Sequence, residues 1–243
     1  MKPYIFGHRG ASGYEIENTF PAFNKAVSMG AGIETDVQLT KDKKLICFHD
    51  PYIKIKDKQF YIKDLTLKEI KKIKFSDGRN IPLIEDVFSN FKENQKKFRY
   101  SIDIIDLNSG IELLSLVGNI SLRKKLEITD QRLLVLSSLK KKYESANLVY
   151  TLPLLIDKIN EKSVDLHKLR EIGINVINIK NRRNIEEYFK DTIDNGFKCY
   201  IWGVNTRANM KKIINLRYKD EIVNAIFTDY PDRLLNLIME HFK

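Results

Sequence analysis

Two rhythms of apolar and polar positions alternate along the chain. Short apolar runs of β-branched and aromatic residues give way to stretches whose apolar positions recur at helical spacing, and the alternation continues from end to end. Tyr4–Gly7 reads as a first strand. Residues 21–29 read as a helix, with Pro21 in its first turn and Gly30 just past its end. Residues 32–38 form a second strand, and a polar turn at 40–44 leads into a further extended run, 45–49. Beyond residue 100 the predicted strands are 100–105, 133–137, 148–151, 175–179, 199–203 and 225–228. Helical patterns lie between them at 109–126, 138–145, 163–172, 184–195 and 206–217. A last helix, 231–242, follows Asp229 as its cap and carries one apolar stripe of Leu234, Leu235, Ile238, Met239 and Phe242.

Residues 51–83 interrupt this order. A polar loop is followed by Thr66 with Glu69 three positions on, the signature of a capped helix start. The stretch reads as an excursion, after which a helix at about 84–94 resumes the alternation. Eight strands, each followed by a helix, require crossover connections and hence a parallel sheet. In 243 residues that count favours a closed (β/α)8 TIM barrel, a single domain over 1–243 with 51–83 as a short insertion after the second strand. No Gly-x-Gly-x-x-Gly follows the first strand, which argues against a doubly wound dinucleotide fold.

Composition narrows the picture further. With 43% hydrophobic and 30% charged residues the chain is an ordinary globule with enough apolar content for one sizeable core. The apolar run at the N-terminus is too short for a secretory signal. The longest apolar region, 111–122, is broken by Glu112, Gly118 and Asn119 and is too short to span a bilayer. A cytoplasmic location without stable membrane insertion is therefore expected. The net charge of +10 is spread along the chain, with short clusters at Lys71-Lys72, Arg123-Lys124-Lys125 and Lys140-Lys141-Lys142. No nucleic-acid reading motif accompanies them, so a solvated surface is expected and nucleic acid is not a partner. Cys47 and Cys199 each lie in an apolar run and are expected to be buried, reduced thiols. The sequence carries no signal for an oligomeric state.

The chemistry gathers at predicted strand ends, where barrels of this kind place their active groups. The first strand ends in His8-Arg9-Gly10. Arginine offers a planar fork of donors suited to phosphate, and histidine titrates nearest neutrality. Glu34 and Asp36 lie at i and i+2 of a strand and so share a face. Two such carboxylates repel unless a proton or cation lies between them, and their oxygens suit Mg²⁺, Mn²⁺ or Ca²⁺. His49-Asp50 and Asp103 bring a second imidazole and a third inward carboxylate. Phosphoryl chemistry calls for such a set: cationic groups for the non-bridging oxygens, one base for the nucleophile and one acid for the leaving alkoxide.

His8-Arg9-Gly10-Ala11-Ser12-Gly13, Glu17-Asn18-Thr19, Glu34-x-Asp36, Thr40-Lys41-Asp42 and His49-Asp50 together resemble the N-terminal signature of glycerophosphodiester phosphodiesterases. Trp202-Gly203-Val204-Asn205 and Thr228-Asp229-Tyr230-Pro231 resemble later motifs of that family. The resemblance implies one divalent cation, Mg²⁺ or Ca²⁺, held by Glu34, Asp36 and Asp103. It implies His8 and His49 as the acid–base pair, Arg9 as a phosphate contact, Glu17 and Asn18 as braces of the substrate-binding rim, and Trp202 as a face for the glycerol or head group. The implied reaction splits a small-molecule glycerophosphodiester into glycerol phosphate and an alcohol. Either a glycerol hydroxyl attacks first to give a cyclic phosphate that water opens, or water attacks directly.

Two positions depart from the family. Asp103 stands where the family usually has Glu, with one methylene less of reach. Ile105 stands where the family has a Lys on the same strand face, so a phosphate-facing cation is missing, and a lysine restored there is expected to raise kcat/KM roughly tenfold. Lys180, at a later strand end, is a candidate substitute, although a lysine after a strand is usually just solvated. Two alternatives accompany this reading: a phosphodiesterase for a sugar-linked or lysophospholipid substrate, suggested by Tyr52, Phe60 and Tyr61 in the insertion, and a degenerate barrel that binds a phosphorylated ligand without turnover. His167 and His241 are expected to play no part.

Overall fold

A computed structural model describes residues 2–92, 98–118 and 120–241 of the chain. The first half contains β1 (Tyr4–Gly7), α1 (Phe20–Ser28), β2 (Gly32–Leu39), β3 (Leu45–Cys47), β4 (Tyr52–Ile55), β5 (Lys58–Tyr61), α2 (Leu67–Ile70), α3 (Ile84–Asn90), β6 (Tyr100–Ile104), α4 (Leu107–Leu116) and α5 (Ile120–Arg123). The second contains β7 (Leu126–Asp130), α6 (Leu133–Lys142), β8 (Leu148–Thr151), α7 (Leu166–Glu171), β9 (Val176–Lys180), α8 (Ile185–Asp194), β10 (Lys198–Trp202), α9 (Arg207–Ile214), the small hairpin β11–β12 (Arg217–Tyr218 and Glu221–Ile222), β13 (Ala225–Thr228) and α10 (Pro231–His241).

Eight of these strands run parallel in the order β1, β2, β6, β7, β8, β9, β10, β13, and β13 pairs back onto β1. The expected closed (β/α)8 barrel is therefore what forms. β3 adds antiparallel to β2, and β4 and β5 pair only with each other, so the insertion leaves the barrel as a hairpin followed by the capping box at Thr66. Side chains of alternate sign of facing build two cores. Phe6, Val149, Val176, Tyr200, Ala225 and Phe227 fill the barrel interior with Tyr4 and Trp202 packed against them. The other face of the same strands, including Ile5, Ile33, Ile102, Ile128, Ile177 and Ile201, packs against the helical shell. Both thiols are buried and free, and burial pushes the Cys47 thiol up to about 12.

One strand differs from the sequence expectation. Residues 133–137, expected as a strand, open helix α6, and the strand is Leu126–Asp130, which begins at the last residue of the stretch expected as helix 109–126. Leu133-Leu-Val-Leu reads as β by composition, yet only Leu136 of that run is fully buried and Leu134 is 83% exposed, a one-sided burial that suits a helix. In Leu126-Glu-Ile-Thr-Asp the residues between the apolar ones, Glu127 and Thr129, face the barrel lumen, which broke the apolar run that would have marked a strand. The helix expected at 84–94 is described to Asn90, and its last residues fall partly outside the described ones, as does Phe242 of the last helix. Among the described residues no helix is long and apolar enough to cross a membrane.

Candidate active site

The interior-facing parity of each strand carries its chemistry to the C-terminal rim. Past the last inward apolar residue of β1, Phe6, the chain offers His8; past Tyr200 on β10 comes Trp202; past Phe227 on β13 comes Asp229. The turn after β1 is tight. Gly10 has φ of 82° and a Cβ there would meet the Ala22 backbone at 2.6 Å, so only glycine fits. Arg9 itself sits at φ 53°, and its N–H donates to Glu34 Oε2 at 2.6 Å.

Glu34, Asp36 and Asp103 converge as expected: one carboxylate oxygen from each lies within 4.8 Å of the others. The register explains it, because Asp36 and Asp103 are direct partners across β2 and β6 and Glu34 is two residues back on the same face. Burial raises the Glu34 carboxyl well above the usual range, reinforced by Asp36 and Asp103. Burial likewise raises Asp103, with Asp36 and Asp130 adding to it. Positive charge beside these carboxyls would lower both, as Arg9 does in part. Two oxygens on one Mg²⁺ or Ca²⁺ are at most about 4–5 Å apart, twice a metal–oxygen bond, so the spacing and the hard-oxygen donor set both fit one divalent cation.

The rest of the predicted set surrounds this cluster. Asn18, 2% exposed, donates from Nδ2 to Asp36 at 3.0 Å and accepts from Thr35 Oγ1 at 2.6 Å, so it fixes the Asp36 carboxylate. Arg9 donates from Nη1 to Glu17 at 2.9 Å, and its Nε approaches Asp36 at 3.2 Å without hydrogen-bond geometry. Glu17 thus engages Arg9. Both histidines present the same arrangement: His8 Nδ1 lies 2.9 Å from Asp229 Oδ1, and His49 Nδ1 lies 2.7 Å from Asp50 Oδ1. A carboxylate only accepts, so each Nδ1 carries the proton and each Nε2 is left for chemistry. Trp202 stacks beside His8 with ring centroids 6.4 Å apart, and Lys180 Nζ lies 5.1 Å over the Trp202 ring. A cavity of about 280 Å³ opens over Asp36, His49 and Asp103, and Ile105 lines it.

Sequence reasoning missed part of this. Asp229 was expected only as a helix cap. Its carboxylate instead takes His8 on one oxygen and Asn205 Nδ2 on the other, while Asn205 Oδ1 accepts from the Asp229 N–H at 2.9 Å. Despite its burial, Asp229 is held below the usual carboxylate range by the His8 hydrogen bond. Arg132 was also missed, because the strand that places it was misassigned; it lines the same cavity as Asp103.

A closed parallel barrel whose strand ends carry a carboxylate triad with the spacing of cation ligands, and two aspartate-held histidines at the same rim, fits a phosphodiesterase barrel. The chain belongs to the glycerophosphoryl diester phosphodiesterase family, whose model matches residues 8–233. A glycerophosphodiester phosphodiesterase of Caldanaerobacter subterraneus is 31% identical over 98% of each chain. Among solved structures, a putative glycerophosphodiester phosphodiesterase of Galdieria sulphuraria superposes with a TM-score of 0.82 at 21% identity, covering 98% of each chain. An Oleispira antarctica phosphodiesterase, solved with its product sn-glycerol-3-phosphate, gives 0.79 at 19% identity, covering 98% of this chain and 97% of its own.

Proposed function

We propose that the chain hydrolyses a glycerophosphodiester to glycerol phosphate and an alcohol, with His8 and His49 as the acid–base pair and one divalent cation, Mg²⁺ or Ca²⁺, on Glu34, Asp36 and Asp103. The observation that carries the reading is the carboxylate triad on the same barrel rim as two imidazoles whose Nδ1 atoms are each held by an aspartate. The cation would supply positive charge to the non-bridging oxygens of the phosphoryl group. Arg9, fixed by Glu17, adds a further positive charge at the same rim.

The proton work falls to the chain's own residues. One histidine Nε2 removes the proton of the attacking hydroxyl as its oxygen bonds to phosphorus; where that hydroxyl belongs to the glycerol, water then opens the resulting cyclic phosphate. The other, protonated on both ring nitrogens when it acts, gives its Nε2 proton to the alkoxide oxygen as that P–O bond breaks. Asp229 and Asp50 keep each ring in the tautomer this exchange needs. Trp202, stacked beside His8, offers a flat apolar face to the glycerol or alcohol portion.

A panel of glycerophosphodiesters assayed with and without divalent cations tests the reading. Metal-dependent release of glycerol phosphate is expected, and failure on every member would overturn it. Ile55, Phe60 and Tyr61 are exposed on the β4–β5 hairpin, so a lysophospholipid belongs in the panel, where its preferred turnover would redirect the assignment to a lipid substrate. A second expected outcome concerns Asp229. Asp229→Asn keeps the shape but offers an amide donor to Nδ1, so kcat should fall about tenfold to a hundredfold with little change in KM. Unchanged kcat would remove Asp229 from the machinery.

A further inference from the structure

We infer that Arg132 is a phosphate-binding residue of the mouth and supplies the charge that Ile105 leaves out. This rests on the phosphodiesterase reading above. The cavity over Asp103 is lined by three aspartates, Asp36, Asp103 and Asp130, and Arg132 is the one permanent cation among its described lining residues. An anionic substrate entering there needs more positive charge than Arg9 offers, since the Arg9 guanidinium already faces Glu17 and Asp36. Ile105 presents hydrocarbon to the same space and is 39% exposed.

The geometry of Arg132 is that of a held, open fork. The Asp130 side chain is 2% exposed and takes Nε of Arg132 at 2.9 Å, together with Nη2 and the Arg132 backbone N–H. Nη2 also reaches the Ile104 carbonyl at 3.3 Å. Nη1 has no protein partner among the described residues, and the side chain is 45% exposed. A buried carboxylate thus fixes one edge of the guanidinium and leaves the other for a ligand. Beside it stands a second unused donor. Thr129, 1% exposed and the register partner of Asp103, lines the cavity, and its hydroxyl has no hydrogen-bond partner. A guanidinium edge and a buried hydroxyl next to the proposed cation ligands make a cradle for phosphoryl oxygens.

The competing account is a purely structural ion pair closing the turn into α6. Inorganic phosphate, used as a competitive inhibitor of glycerophosphodiester hydrolysis, separates the two. For Arg132→Gln the phosphate Ki and the substrate KM should each rise about tenfold, and kcat/KM should fall about tenfold to a hundredfold. Arg132→Lys keeps a cation opposite Asp130 but loses the fork, so it should lie between. Adding Ile105→Lys to Arg132→Gln should restore most of the phosphate affinity, whereas Ile105→Lys alone should gain less than the roughly tenfold expected from sequence, because Arg132 already serves. Titration calorimetry with inorganic phosphate reads the same affinity without turnover. A purely structural role would lower the melting temperature and leave Ki unchanged, which overturns the inference. If Arg132→Gln does not fold, an unchanged Ki in Arg132→Lys overturns it equally. Should the wild type hydrolyse no glycerophosphodiester yet bind phosphate through Arg132, the proposed reaction falls and this inference stands.

Discussion

His8→Ala and His49→Ala are each expected to lower kcat by about 10²–10⁴, the contribution of one positioned proton transfer. The double variant should lose far less than the product of the two, because acid and base act in one concerted exchange and removal of either leaves the other little to do. The two roles are separable by leaving group. When the departing alcohol is a nitrophenol, it needs no proton, so the variant lacking the acid should recover most of its rate and the variant lacking the base should not. His8 and His49 differ in setting: His8 is 23% exposed and held by the half-buried Asp229, while His49 is 46% exposed and held by the open Asp50. A near-normal kcat in either single variant would show that its imidazole moves no proton in the reaction.

The reach of the sequence followed the range of the contacts involved. Glu34 and Asp36 were legible because their shared face follows from the period of a strand alone. Placing Asp103 beside them needed only one more inward strand position, and the parallel register of β2 and β6 supplies it. His8 with Asp229 was not legible, since 221 residues separate them and only barrel closure brings β13 against β1. The motif containing Asp229 was visible, but locally an aspartate before Pro231 fits a helix cap as well as it fits a partner for a distant imidazole. Arg132 was lost for a different reason. A barrel strand whose lumen face carries Glu127 and Thr129 lacks the apolar run by which buried strands are recognised, and the leucine-rich start of α6 supplied a false one nearby. The eight-unit count survived because the false strand replaced the true one between the same neighbours. The rim residues of that strand did not survive the exchange, and among them was the cavity's cation.

Removal of divalent cations is expected to abolish activity, and Glu34→Gln with Asp36→Asn to lose cation binding while keeping the fold. The structural reason lies in the charge of the cluster. Glu34 and Asp103 are raised carboxyls, chiefly through burial and then through one another's neighbours. A group whose pKa is raised by folding stabilises the protein fully below its unfolded pKa and loses that contribution as pH rises through the folded value. The cation-free protein should therefore lose stability from this cluster as pH rises. A bound divalent cation reverses the balance, because it replaces the protons and is favoured where they leave. Thermal melts with Mg²⁺ or Ca²⁺ should then show a larger stabilisation at pH 8 than at pH 5, and the difference should vanish in Glu34→Gln with Asp36→Asn. Neutralising two of the three carboxyls should also raise the melting temperature of the cation-free protein at pH 8, a gain that a merely disrupted fold could not give. Full activity in excess chelator, or equal cation stabilisation in the double variant, would place the divalent cation elsewhere or nowhere, and the negative charge of the triad would then need another partner.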